Sequence, residues 1–145
     1  MHDFVKVTGH LIITLYHADG TVKQRLEVPN LVVNAGKNLI ASRLVGTSSG
    51  VISHMGVGTS NASVAAANTT LANELTRVAV SSPSISSNVI TYVADFGAGV
   101  ATGNLYEAAL FNSSSGGTML CRTTFTELNK TANDHLIINW NVTIN

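Results

Sequence analysis

Charged residues, aromatic residues and cysteines are all scarce in this sequence, and each scarcity narrows the possible functions. Only 11% of the 145 residues are charged, against roughly a quarter in ordinary soluble domains. The eight basic residues occur singly and balance eight carboxylates, which argues against a nucleic-acid partner because phosphate binding needs a basic stripe. Since few charges keep copies apart, we expect other protein to cover much of the surface. The alternative is a Ser- and Thr-rich β domain that is simply neutral.

The sequence also shows no pattern typical of a membrane span, a signal peptide or an intramolecular disulfide. No apolar run approaches the ~20 residues that cross a bilayer, so we expect no membrane partner. Residues 1–6 lack the basic segment and apolar stretch of a signal peptide. The single cysteine, Cys121, excludes an intramolecular disulfide, and we interpret it as a thiol packed within a strand rather than a nucleophile.

Apolar residues recur with a period of two along most of the chain, which is typical of half-buried strands. The last strand is the clearest, and its predicted core residues are Leu136, Ile138, Trp140, Val142 and Ile144. Residues 1–30 are predicted to form an N-terminal arm (1–8) and a hairpin that turns at Asp19-Gly20. We predict one domain over residues 1–145, an all-β two-sheet sandwich of about eight antiparallel strands. A jelly roll is the first choice of topology and another Greek-key arrangement the second.

One segment departs from this period and predicts the only short helix of the chain, at residues 34–46. Its apolar stripe, which we expect in the core, consists of Leu39, Ile40 and Leu44. Asn34 is the expected N-cap and Gly46 the expected C-terminal stop. A further helical turn is predicted near residues 71–75, at the end of a loop of small residues.

The titratable residues do not show the spacings of known catalytic or metal sites. No two of the five histidines have zinc-ligand spacing. The glycine loops at 56–58 and 97–99 are not followed by Lys-Ser/Thr and a long helix, as a phosphate-binding loop would be. We therefore predict no catalytic residue, no cofactor, no metal and no enzymatic activity. A glycosidase-like pair of carboxylates stays open at this stage.

Glu107 is the one charged residue that we expect to be buried. It lies in a predicted strand, on the face expected for Leu105 and Phe111. A buried carboxylate needs a partner or it takes up a proton, and the candidate partners are Arg77 and Arg122. We interpret this set as a structural ion pair that fixes strand register or a subunit contact, and an active-site acid is the alternative.

From about Leu31 to the end, the order of motifs resembles a group of small tailed-bacteriophage virion proteins, which includes capsid cement (decoration) proteins and tail-fibre-like modules. The motifs are LVVNAGKNLIASRLVG (31–46), ISHMGVGTS (52–60), TLANELTRV (70–78), VITYVADF (89–96), EAALFN (107–112), GTMLCR (117–122) and LIINWNVTI (136–144). The resemblance implies a jelly-roll-like β domain that acts by surface contact. It does not cover residues 1–30.

Within this group, the lack of a repetitive shaft or coiled-coil heptads favours a capsid decoration protein over a fibre. The partners implied are the major capsid protein and the chain itself, as a homo-dimer or homo-trimer. The location implied is the outer capsid surface of the virion, after synthesis in the host cytoplasm. We expect contacts through the arm 1–8 and the loops 62–73 and 97–103. A tail-fibre or receptor-binding module that contacts the host surface is the alternative, and a glycan hydrolase is a third class.

Overall fold

The computed structural model describes residues 5–47 and 50–145, which form two antiparallel sheets and one helix. The predicted all-β two-sheet sandwich is therefore confirmed, with ten strands instead of about eight. The strands are β1 (Val7–Tyr16), β2 (Val22–Pro29), β3 (Leu31–Val32), β4 (His54–Gly58), β5 (Glu74–Ala79), β6 (Ser84–Ser86), β7 (Val89–Phe96), β8 (Gly103–Phe111), β9 (Met119–Lys130) and β10 (His135–Ile144). The helix α1 (Asn34–Leu44) follows β3. The unpredicted strands β3 and β6 are two and three residues long, too short to show a period.

Both sheets join strands that are far apart in the chain. Sheet A has the order β2-β1-β10-β7-β6, and sheet B has the order β3-β9-β8-β4-β5. The first strand thus pairs with the last, with Leu11 opposite Trp140, and β3 pairs with β9. These two pairings wrap the chain as in a jelly roll, whereas β8 and β9 are neighbours in sequence as well as in the sheet.

The core lies between the sheets, and β10 contributes to it as its alternation predicts. Leu136, Ile138, Trp140 and Val142 are buried. Ile144 is only partly buried because it lies at the end of its strand. The indole N–H of Trp140 donates a hydrogen bond to Oδ1 of Asn30 at 2.9 Å, so the largest core side chain is also held by a polar contact.

The predicted hairpin near the N-terminus is present as β1 and β2. Gly20 has a φ of 88° in the turn between them, a conformation that glycine adopts at little cost. Residues 1–4 of the predicted arm lie outside the described residues. Val7 already belongs to β1, opposite Ile144, so residues 7 and 8 are part of the sheet rather than of an arm.

The helix begins and ends differently from the prediction. Its first residue is Asn34 and its N-cap is Val33, which makes no side-chain cap hydrogen bond, so the assignment of Asn34 as N-cap is wrong. Its last residue is Leu44, two residues before the predicted end. Gly46 follows with a φ of 71°, the left-handed conformation that commonly ends helices.

Only part of the predicted apolar stripe of the helix reaches the core. Leu39 is buried and Ile40 is partly buried against the main core, whereas Leu44 is 83% exposed. Gly36 lies against the backbone carbonyl of Leu120, where a Cβ would have no room. This close approach brings the first half of α1 onto β9. The last turn carries Leu44 away from the core, so its assignment to the core is wrong.

Candidate interaction surfaces

Sheet B carries a buried ion pair on its outer side. Glu107 on β8 and Arg122 on β9 approach to 3.0 Å, and their side chains are 0% and 1% exposed. A bulge in the β8–β9 pairing lies between Leu105 and Glu107, and Leu105 belongs to the core between the sheets. The expectation that Glu107 shares a face with Leu105 is therefore wrong, because the bulge changes the direction of the side chains that follow it. Phe111 is not in the main core and belongs to a second apolar cluster, on the side of Glu107.

Residues 59–73, which we name the covering loop, lie over this ion pair. The donors to Glu107 are the backbone N–H groups of Ser60, Ala72 and Asn73, at 3.3, 2.8 and 2.8 Å. The loop acceptors for Arg122 are the carbonyl oxygens of Ala62 and Ser63 and Oδ1 of Asn68, at 2.9, 3.3 and 3.1 Å. The helical turn predicted near residues 71–75 is wrong, because its first N–H groups bond to Glu107 and β5 begins at Glu74.

A second apolar cluster closes the space beside the ion pair. Its buried members are Val33, Leu71, Ala109, Phe111 and Met119. Both oxygens of Glu107 and all three guanidinium nitrogens of Arg122 are hydrogen-bonded within the chain. These hydrogen bonds fix the position of the covering loop over Glu107 and Arg122. We name this outer side of sheet B the covered face.

Arg77, the other candidate partner of Glu107, pairs with Glu74 instead, at 2.8 Å. Its guanidinium lies 3.5 Å from the centre of the Phe111 ring and donates to the carbonyl oxygens of Ser113 and Gly116 at 2.9 and 3.0 Å. These contacts attach the edge strand β5 to the turn between β8 and β9. A cation–π contact and an ion pair together hold the Arg77 side chain, which is only 7% exposed.

The outer side of sheet A is different, and we name it the uncovered face. At the edge of this side, β2 carries Arg25 and Glu27, opposite Thr14 and Ile12. We keep the name for the central part, which consists of twelve outward side chains of β1, β7 and β10: Thr8, His10, Ile12, Thr14, Val89, Thr91, Val93, Asp95, Ile137, Asn139, Asn141 and Thr143. Asp95 is the only carboxylate among them, and none is lysine or arginine. The hydroxyl of Thr91 donates to Oδ1 of Asn141 at 2.8 Å. No helix or strand of the described chain covers this face, since the helix packs on β9 of sheet B.

An apolar groove of about 280 Å³ opens at one end of the sandwich, between α1 and the ends of β7 and β10. Its lining includes Leu39, Ile40, Tyr92, Val142 and Ile144. Leu44 and Val51 stand at its rim and are 83% and 61% exposed. Burial raises the pKa of Tyr92 to about 12, so its hydroxyl stays neutral at physiological pH. The groove is therefore a small, mainly apolar surface, and Arg43 is the one charged residue in its lining.

At the other end, an ion pair connects the first hairpin to the last one. Nζ of Lys23 lies 2.8 Å from Oδ2 of Asp134 and 3.0 Å from the carbonyl oxygen of Asn129. Asp134 also accepts a hydrogen bond from the backbone N–H of Thr131 at 2.8 Å. The hydrogen bond from Lys23 is the main reason that the pKa of Asp134 lies well below its usual range. This pair closes the sandwich at the turn between β9 and β10.

The remaining reactive side chains are dispersed. Lys130 is buried and donates to the carbonyl oxygen of Gly97 at 2.9 Å, and burial lowers its pKa. Cys121 is wholly buried, so its interpretation as a packed thiol is confirmed, and burial raises its pKa. Within residues 5–47 and 50–145, no three His, Cys, Asp or Glu side chains are grouped so that they could hold a metal ion.

Sequence reasoning found the buried ion pair but missed the uncovered face and the Lys23–Asp134 pair. The polar alternate residues of β10, Asn139, Asn141 and Thr143, were a signal for an outward face. That signal does not say whether another part of the chain lies over the face. Lys23 and Asp134 are 111 residues apart, and no local pattern relates them.

Comparisons with known proteins returned no relatives. No family model matches the chain, and no curated protein and no solved structure matches it. No helix of the described residues has the length and apolar composition to cross a membrane. The resemblance to bacteriophage virion proteins therefore stays a prediction.

Proposed function

We propose that this chain is a bacteriophage capsid decoration (cement) protein, which binds the outer capsid shell across neighbouring major capsid subunits and stabilises the virion. It acts without catalysis, as a structural protein. The observation that carries the proposal is the uncovered face of sheet A, where one of the twelve outward side chains of β1, β7 and β10 is a carboxylate and none is lysine or arginine. Interface centres are depleted in charge, because a charged group loses more hydration free energy on burial than Thr, Asn, Ile or Val does.

The geometry of this face suits a broad contact rather than a pocket. Its cross-strand rows run from β1 through β10 to β7, with Ile12, Asn139 and Val93 in one row. Alternating amide, hydroxyl and aliphatic groups can meet a protein surface that offers both hydrogen bonds and apolar patches. Each copy that binds only the assembled shell stabilises it by mass action, so many modest contacts add up over the many equivalent sites of a capsid.

A tail-fibre or receptor-binding module is the alternative, and the described loops give it little support. Glycan-binding loops commonly offer aromatic rings that stack on sugars, but no loop within residues 5–47 and 50–145 contains Phe, Tyr or Trp. The exposed apolar residues at the rim of the end groove, Leu44 and Val51, are aliphatic. A flat contact with another protein fits this surface better than glycan recognition does.

The test is co-sedimentation of the purified protein with assembled empty shells of the virus that encodes it. Unassembled capsid subunits and host envelope fragments are the parallel samples. We expect binding to shells alone. Asn139→Lys, at the centre of the uncovered face, should weaken that binding by at least about tenfold, because it places an ammonium group in the contact. The sequence also suggested a contact through residues 62–73, but the proposal now places the contact on the uncovered face. Ala67→Lys, which adds the same charge to the exposed covering loop, should therefore leave binding unchanged.

Three outcomes would contradict this proposal or its details. Binding to envelope fragments without binding to shells would favour the receptor-binding alternative. Turnover of a glycan substrate would contradict the non-enzymatic assignment. Loss of shell binding in Ala67→Lys but not in Asn139→Lys would transfer the contact from the uncovered face to the covering loop.

A further inference from the structure

The strand β2 is the longest free sheet edge in the described chain. It has eight residues and pairs only with β1, whereas the end strands β3, β5 and β6 have two, six and three. A free edge presents unpaired N–H and C=O groups that can pair with another strand. The side chains of β2 indicate which strand can pair with this edge.

On the outer side of β2, Arg25 and Glu27 are half-exposed and lie 2.7 Å apart. On the inner side, Gln24, Leu26 and Val28 are partly buried, and Leu26 and Val28 pack against the main core from its margin. The edge therefore has one charge of each sign on one side and an incompletely covered apolar pair on the other. An edge of this kind is complementary to itself.

We infer that two copies of this chain pair through β2, antiparallel about a two-fold axis at Leu26. Arg25 of each copy then lies opposite Glu27 of the partner subunit, and the two Leu26 side chains meet on the inner side. Directly opposed residues of an antiparallel pair lie on the same side of the sheet. The result is one continuous sheet of ten strands, formed from the two five-stranded A sheets.

The charges of β2 select this register over its neighbours. A two-fold axis perpendicular to the sheet passes midway between a residue and the same residue of the partner subunit. We name each axis by that residue. With the axis at Arg25, two guanidinium groups face each other, and the Lys23 that would face Glu27 is already bound to Asp134. With the axis at Glu27, two carboxylates face each other. Only the axis at Leu26 places opposite charges together on both sides, and like charges directly opposite are destabilising.

The same charges should limit pairing through this edge to a dimer. Charged residues on edge strands disfavour most strand pairings. Here they allow one pairing, which forms a closed dimer and leaves neither β2 strand with a free edge. A contact through one strand of eight residues lies at the low end of specific interfaces in buried area. We therefore expect a weak dimer that dissociates on dilution. High local concentration on a shell would strengthen it, but the inference does not require shell binding.

A charge swap tests the pairing. Arg25→Glu and Glu27→Arg each create two like-charge contacts across the dimer, and each should raise the dimer dissociation constant by about tenfold in sedimentation equilibrium. The double variant R25E/E27R restores opposite charges and should return the constant to near the wild-type value. The thermal unfolding of dilute samples is the control, because these half-exposed residues should change the stability of the monomer little.

Cysteine cross-linking tests the register. In Leu26→Cys, the two thiols lie opposite each other, with Cα atoms about 5 Å apart, within disulfide range. In Val28→Cys, the register separates the thiols by four residues along the strand, about 13 Å, so no cross-link should form. Gln24→Cys combined with Val28→Cys should cross-link again. The native Cys121 is buried and does not compete.

A chain that stays monomeric at millimolar concentration, or that forms a trimer, would overturn the inference. Failure of R25E/E27R to recover the affinity of the wild type, or equal cross-linking of Leu26→Cys and Val28→Cys, would overturn the register and the charge pairing. A dimer that ignores shells would leave this inference intact and contradict the proposed function alone.

Discussion

The two sheets have the same number of strands but differ in what lies on their outer sides. On the covered face, the chain lays residues 59–73 over a buried ion pair and a second apolar cluster. On the uncovered face, Thr, Asn, Ile and Val alternate with the core positions, and no described helix or strand lies over them. The covered face is packed against other residues of the chain, whereas the uncovered face is available for contact with a partner.

The difference also shows what the few charges of the chain do. The sequence has eight basic and eight acidic residues, and Arg122 and Glu107 are withdrawn entirely from water. A buried pair contributes little net stability because desolvation offsets the attraction. Its benefit here is geometric, since five backbone groups of the covering loop bond to it. Stability on the covered face should therefore be sensitive to single changes, and stability on the uncovered face should not.

The largest effect is expected from Arg122→Met, which leaves Glu107 buried without its cation. Breaking a buried pair in this way costs about 3–5 kcal/mol, measured as the free energy of unfolding in urea. The double variant Glu107→Leu with Arg122→Met removes both charges and should be less destabilised than the single variant. Hydrogen exchange should show the amides of Ala72 and Asn73 unprotected in the double variant, because only this variant lacks their acceptor, Glu107. Equal stability of Arg122→Met and wild type would contradict the role of the pair.

A smaller effect is expected from Gly58→Ala, which affects the covering loop through packing alone. A Cβ at this position would overlap the carbonyl oxygen of Asn73 and the carboxylate of Glu107, so the loop has to move. Overpacking of this kind costs about 1–3 kcal/mol. Gly97→Ala is the matched control, because its nearest neighbour, in His135, is at an ordinary 3.7 Å. If both variants unfold at the same urea concentration, the close packing of the covering loop against Gly58 is contradicted.

The Lys23–Asp134 pair joins the ends of both sheets and should show itself through pH. The pKa of Asp134 is lower in the folded state than its ordinary value of 3.8. Its contribution is therefore complete above about pH 5 and is lost as the pH falls towards the folded pKa. Lys23→Met should cost about 1–2 kcal/mol at pH 7 and less at about pH 2.5, because Asp134 of the variant, without Lys23 to lower its pKa, has begun to take up its proton there.

Urea unfolding at the two pH values measures this difference, and Lys37→Met is the control. Lys37 is exposed on α1, so its substitution should change stability by under about 0.5 kcal/mol at either pH. The ammonium of Lys130 also attracts the charge of Asp134, so some acid sensitivity should remain in Lys23→Met. A loss of stability in Lys23→Met that is the same at both pH values would contradict the ionic origin.

The sequence predicted the parts of the fold that local periodicity determines. The alternation in β10 identified Leu136, Ile138, Trp140 and Val142 as core because a half-buried strand imposes a period of two. The turn at Asp19-Gly20 identified the first hairpin. The short helix was also found, but Leu44 was misplaced, because helical spacing identifies an apolar stripe and not the length over which the helix is packed.

The candidate surfaces were less predictable, because each depends on contacts between distant segments. A buried carboxylate at Glu107 predicted a cation, and Arg122 meets that need. The backbone donors of the covering loop carry no sequence signature, and the bulge before Glu107 places Leu105 on the opposite face from the one expected. That no helix or strand of residues 5–47 and 50–145 lies over the outer side of sheet A follows from where the helix and the covering loop pack, which is known only from the fold.

The smallest effect is expected on the uncovered face, from Thr91→Val. The substitution keeps the β-branched shape and removes the hydroxyl that donates to Asn141. Both residues are only partly buried, so water can take over the hydrogen bond, and the cost should be about 0.5 kcal/mol in urea unfolding. Asn139→Lys should be equally mild for stability, although it should abolish most shell binding. Substitutions on this face should therefore change shell binding much more than the free energy of unfolding. A cost above about 2 kcal/mol for Thr91→Val would contradict this, because it would mean that the fold of the chain depends on the uncovered face.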